Sequence, residues 1–135
     1  MKITLLSIIV GDQDQALAMY RDTLGFVLTD DGDGAARRAA MDHARIARST
    51  RRHTHFAEPN GFPFVAEYQR ALKANSVPLT AFAVTDIDAE YARLTAAGVA
   101  FKSPPSVGDA AIPRTATFDD RCGNWIMLYE DKADG

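Results

Sequence analysis

Two stretches of this 135-residue chain follow one grammar, and that repetition constrains the fold more than any other feature. "ITLLSIIV" is apolar and β-rich, and "GDQDQALAMYRDTLGF" follows it. Asp12 or Asp14 can cap a helix there, Ala16, Leu17, Tyr20 and Leu24 fall at helical spacing, and Gly25 supplies the left-handed residue that ends it. Much later, "LTAFAVTDIDAEYARLTAAGVAFK" reads as strand, Asp86 or Asp88 cap, amphipathic helix, Gly98 and strand. At an offset of 74, Val10, Asp12 and Asp14 meet Val84, Asp86 and Asp88, and Gly25 meets Gly98 after a one-residue slip. Two copies of strand–helix–strand in so short a chain imply a duplicated module.

Each module needs further strands to bury its apolar face. "FVLTDD" reads as the next strand of the first copy. In the second, "RTATFDD", the turn "RCGN" and "WIMLYE" form a hairpin of β-branched and aromatic residues, with Pro104, Pro105 and Pro113 marking the connections. Between the copies, "EPNGFPFVAEYQRALKAN" gives a turn and a helix over about 65–75. The expected organisation is a single domain over 1–132, with module one at about 1–60 and module two at about 77–131. Hydrophobic residues at 47% and charged residues at 24% are ordinary for a globular protein in water, and the formal charge of −3 speaks against nucleic acid as a partner. One cysteine, Cys122, excludes an internal disulfide and a cysteine-rich zinc site and fits a reducing compartment, so a cytoplasmic location is expected. The apolar run at the start spans only Ile3 to Val10, interrupted by Thr and Ser, too short for a signal peptide or a membrane span.

The segments "VGDQDQALAMYRDTLGFVL", "EPNGFPFVAEYQRAL", "PLTAFAVTDIDAEYARLTAAGV" and "FDDRCGNWIMLYE" resemble the vicinal oxygen chelate superfamily of glyoxalases, bleomycin-resistance proteins and extradiol dioxygenases. The resemblance covers nearly the whole chain except about residues 33–57. It implies an α+β fold of two β-α-β-β-β modules whose curled sheets form a cup-shaped mixed sheet, completed by homodimerisation, with the ligand inside. In metal-dependent members four His or Glu side chains enter the cup from the first and last strand of each module. On the matching positions stand Leu5, Thr54, Leu79 and Met127. None offers the imidazole nitrogen or carboxylate oxygen that a divalent ion of this kind takes. Glu58, Asp119 and Glu130 lie near strand ends, and only a shifted register turns Glu130 inward.

No cofactor is therefore expected. What the resemblance leaves is a metal-free protein that binds a small molecule, as bleomycin-resistance proteins do by sequestration; the alternative is a metal-dependent lyase of the glyoxalase I type or an extradiol dioxygenase. Strand alternation puts Trp125, Met127 and Tyr129 on the ligand-side face, with Leu5, Ser7, Leu79 and Ala81 opposite, a lining suited to a planar or aromatic ligand. Cys122 beside Arg121 reads as an inert turn cysteine, and Arg114 and Arg121 as solvated arginines close to the cup's mouth.

One stretch departs from the family. "RRAAMDHARIARSTRRHTHF", residues 37–56, holds all three histidines, six of the eleven arginines and a single acid, Asp42. Its net +5 leaves −8 on the other 115 residues, given the total of −3. His53 and His55, with His43, have metal-ligand chemistry, and the arginines have phosphate chemistry, although no aromatic residue interleaves before Phe56. The genetic code offers a third reading. Met41-Asp42 is encoded ATG GAY, so the frame displaced by one nucleotide contains a tryptophan codon. The following codons can yield a S-P-E-x-P-D-G string of the kind that family members carry here, ending in step at Glu58. Residues from about 35–40 to about 54–57 thus read as translated from a shifted frame, and the three histidines receive no role. The coding sequence tests this: the tryptophan-to-P-D-G string is expected in the neighbouring frame, and codons that do not encode it remove the idea.

Overall fold

The computed structural model describes the backbone of residues 5–28, 44–47, 54–59, 61–109 and 111–131, with side chains placed for 8–12, 14–26, 61–109 and 111–131. The chain divides into two compact units, Met1–Glu67 and Tyr68–Gly135. Each carries one copy of the repeat.

In the first unit, strand β1 (Leu5–Val10) leads into helix α1 (Gln13–Leu17). Of the two candidate caps it is Asp12 that serves: its backbone is extended, and its carboxylate accepts from the Gln15 amide at 2.9 Å. Asp14 instead sits in the first turn, where a negative charge suits the helix dipole. The helix then widens into a π-helical turn over Ala18–Thr23. There the Leu24 amide donates to the Met19 carbonyl, five residues back, and the Phe26 amide to Tyr20, six back, both at 2.9 Å. In the second unit the matching bonds are one residue shorter, Ala97 to Arg93 and Val99 to Leu94. The widened turn thus absorbs the extra residue seen as the slip between Gly25 and Gly98. It also changes the buried face: Ala16, Met19, Tyr20 and Leu24 are buried, whereas Leu17, expected among them, is half-buried. Gly25 follows at φ +77°, the left-handed conformation that ends the helix.

Strands β2 (Val27–Leu28), β3 (Ala44–Ala47) and β4 (Thr54–Pro59) complete the first sheet in the order β1-β4-β3-β2, with β1 and β4 parallel and the other pairs antiparallel. The remainder of "FVLTDD" and most of the arginine-rich stretch, including His43 and His53, lie outside the described residues.

Helix α2 (Pro63–Ala74) connects the copies, close to the expected 65–75, and the boundary between the compact units falls within it. Pro63 takes the first helical position, where an amide would lack a partner in any case.

The second unit repeats the plan with β5 (Thr80–Val84), α3 (Ile87–Ala96), β6 (Thr115–Asp119) and β7 (Trp125–Glu130) in the order β5-β7-β6. Asp86 caps α3 through the Ala89 amide at 2.9 Å, and Gly98 closes it at φ +80°. The strand expected at "VAFK" shrinks to one bridge between Phe101 and Phe118, flanked by bonds from Asp119 to Ala100, Lys102 to Thr117 and Ser106 to Thr115. Pro104 and Pro105 interrupt it because neither has an N–H to continue a ladder.

Alternation splits this sheet in two. Phe82, Val84, Ala116, Phe118, Ile126 and Leu128 are buried with Ile87 and Leu94 of α3 and with Val99. Burying a side chain of this size contributes about 1.5–3 kcal/mol. The residues between them form the opposite face.

The turn joining β6 to β7 is built on a fully buried carboxylate. Asp120 Oδ1 accepts from the amides of Cys122 (2.8 Å) and Asn124 (2.9 Å), and Oδ2 from Asn124 Nδ2 (2.7 Å). Gln69 of α2 donates its Nε2 to the Cys122 carbonyl and to Asn124 Oδ1, both at 3.0 Å. Gly123, at φ +102°, is required twice over, because a Cβ there lies 2.8 Å from Gln69 Nε2. Asp120→Ala is expected to lower the unfolding free energy by about 3 kcal/mol, since it leaves several buried donors without an acceptor. Urea denaturation with an unchanged m-value checks this.

Candidate functional site

The second face of the sheet in the unit 68–135 carries the expected residues. Parallel pairing sets Ala81 beside Met127 and Ala83 beside Tyr129, and the Leu79 amide donates to the Trp125 carbonyl at 2.8 Å. Antiparallel pairing sets Thr115, Thr117 and Asp119 beside Tyr129, Met127 and Trp125. Leu79, Ala81, Trp125, Met127 and Tyr129 are all half-buried, as are the two threonines, while Ala83 is exposed. The result is a strip of aromatic and thioether side chains between small alanines on one side and hydroxyls on the other.

One end of the strip is charged. Trp125 lies under two ammonium groups, Lys73 Nζ 4.2 Å and Lys102 Nζ 5.0 Å from the ring centroid. Its indole N–H donates to the Lys73 carbonyl at 3.0 Å. Lys73 Nζ also pairs with Asp119 Oδ2 at 2.6 Å. Lys102 reaches this face because Phe101, its neighbour, turns to the other, where its ring meets Tyr91 at 4.6 Å and Phe118 at 5.6 Å.

The remaining sequence candidates stand on other elements. Leu5 and Ser7 lie on β1, where they pair with Thr54 and Phe56 of β4. At the 74-residue offset Ser7 corresponds to Ala81, which pairs with Met127. The residue of β4 equivalent to Met127 is therefore Phe56, and Thr54 is equivalent to Trp125; Phe56 has no donor atom for a metal either. Glu130 does not face the strip: its carboxylate accepts from the Ile87 amide at 3.3 Å, at the start of α3. Arg114 forks onto Asp88 at 2.6 and 2.8 Å and lies 3.9 Å from Glu130, and Arg121 donates to the Gly98 carbonyl. Cys122 is buried in its turn. Among the described residues no cluster of three or more His, Cys, Asp or Glu is placed to hold a metal ion.

Sequence reasoning did not single out Lys73, Lys102, Thr115 and Thr117. The threonines were available from the alternation of "RTATFDD". The lysines were not, since Lys73 meets Trp125 across 52 residues of sequence.

A family model of the glyoxalase/bleomycin resistance protein/dioxygenase superfamily matches residues 2–128, and the chain belongs to that superfamily. The uncharacterized protein YurT of Bacillus subtilis (strain 168) is 38% identical over 132 residues, covering 96% of this chain and 99% of YurT. Among solved structures, UcmS2 superposes with a TM-score of 0.78 at 23% identity, over 97% of this chain and 98% of UcmS2, a likeness of fold. TnmS3, an antibiotic binding protein from Streptomyces sp. CB03234, has a TM-score of 0.70 at 28% identity, over 96% of this chain and 95% of TnmS3. Among the described residues no helix is long and apolar enough to cross a membrane.

The Arg114–Asp88 fork holds the Asp88 carboxyl below its ordinary range, chiefly through the hydrogen bonds from the guanidinium. A lowered folded-state value stabilises the fold at neutral pH, and that contribution disappears as pH falls through it. Asp88 is largely exposed, so solvent keeps the effect small. Asp88→Asn is expected to melt slightly below the wild type at neutral pH, with the gap closing under acid, as thermal melts across a pH series measure.

Proposed function

We propose that the protein binds a small planar or aromatic molecule without a metal ion, holds it against the Trp125–Met127–Tyr129 strip, and acts as a homodimeric sequestering protein in the cytoplasm. The observation that carries this reading is the strip itself: a half-buried aromatic and thioether surface, bordered by alanines and threonines, on the strand face where metal-dependent relatives place their ligands. Leu5, Thr54, Leu79 and Met127, and Phe56 at the register position equivalent to Met127, carry neither the imidazole nor the carboxylate that such a divalent ion takes, and a lyase or dioxygenase of this superfamily needs that ion as its Lewis acid. That TnmS3 binds an antibiotic supports ligand capture by a relative of this size. A single cysteine, buried, fits a reducing compartment.

Trp125 is the chain's one tryptophan, so it reports directly on the strip. Planar aromatic ligands are expected to change its fluorescence and to raise the thermal midpoint; at a hundredfold excess over Kd the stabilisation is about 2.7 kcal/mol. Trp125→Phe removes the optical signal. Stoichiometric zinc, nickel or iron in elemental analysis of the purified protein overturns the metal-free reading in favour of a glyoxalase-type lyase or dioxygenase. Sedimentation equilibrium reads the dimer, and a mass of one chain at micromolar concentration refutes it.

A further inference from the structure

The charge at the tryptophan end of the strip is unbalanced. Lys73 is neutralised by Asp119 at 2.6 Å. Lys102 stands 5.0 Å from the same ring, is exposed, and among the described residues no carboxylate pairs with it. The next charged group along β7 is Glu130, five residues from Trp125, or about 17 Å of strand. That is well beyond the screening length of about 8 Å at physiological salt. Glu130 also faces away, toward the start of α3 and Arg114. The local field over the strip is therefore that of one uncompensated cation beside an aromatic and thioether surface.

We infer that the ligand of this face is an anionic planar aromatic molecule, a ring bearing a carboxylate, sulfonate or phenolate, whose charge meets the Lys102 ammonium while its ring lies along Trp125 and Met127. This rests on the small-molecule reading above and narrows it to a chemical class. Geometry supports the division of labour. Phe101 and Lys102 alternate across the irregular edge, so packing Phe101 against Tyr91 and Phe118 directs Lys102 to the ligand side. The bond from the Lys102 amide to the Thr117 carbonyl at 2.9 Å fixes its backbone beside the strip. Ala81, the register partner of Met127, presents only a methyl group there. A cationic ligand meets the uncompensated Lys102 ammonium and is disfavoured.

Calorimetric titration with 2-naphthoate and with 2-naphthamide, of the same shape but without the charge, tests the inference. The wild type is expected to bind the naphthoate about fivefold more tightly, the upper range for a solvent-exposed ion pair, and added sodium chloride should narrow the difference. Lys102→Met is expected to abolish the preference, read as the ratio of naphthoate to naphthamide affinity; the residue is exposed, and a matched melting curve confirms the fold. Equal affinities in the wild type overturn the anionic class, and a preference that survives in Lys102→Met overturns Lys102 as the partner of the charge; both leave the small-molecule reading intact. Failure of both probes to bind overturns the two together.

Discussion

The buried carboxylate of Asp120 fixes what the rest of the second module depends on, the register between β6 and β7. Three donors close the turn around it, and Gln69 locks the turn to α2. A slip of one residue in such a pair moves every side chain to the other face. With the turn set, Phe118, Ile126 and Leu128 go to the core, and Asp119, Trp125 and Met127 go to the opposite face, that of the candidate site. The same residue thus secures both the hydrophobic core and the composition of the candidate site, although it touches no ligand position.

Much of this was readable from the chain because the signals were local. The limits of β7 coincide with the run "WIMLYE", whose alternation is visible in the letters. Both helix starts follow from an aspartate, and both ends from a glycine. Three features were not readable. Leu17 was expected in the core, but a π-helical turn rotates Met19 there instead. The "VAFK" strand looked complete, yet two prolines a few residues on reduce it to a bridge. The family resemblance set Thr54 at the position matching Met127, whereas the register of the sheets sets Phe56 there. Only the last of these rests on pairing between strands; the π-helical bonds and the prolines lie within a few residues of the positions they decide.

The candidate site shows the same limit. Its apolar members follow from strand periodicity alone, but its electrostatics do not. Lys73 belongs to a helix whose sequence gives no hint of a tryptophan partner, and Lys102 gains its position from the packing of the residue before it. The arginine-rich stretch had the opposite character. It held the densest chemistry of the chain, yet only the backbones of β3 and of the start of β4 are described within it.

The widened turn after α1 has a consequence for how the two copies diverge. It converts a change in chain length into a local swelling of the helix, so the strands on either side keep their spacing and the glycine keeps its place at the helix end. An added residue in a strand needs a bulge to absorb it, and without one it inverts everything downstream. The helix is accordingly where one copy of this repeat lengthens relative to the other without disturbing the strands on either side.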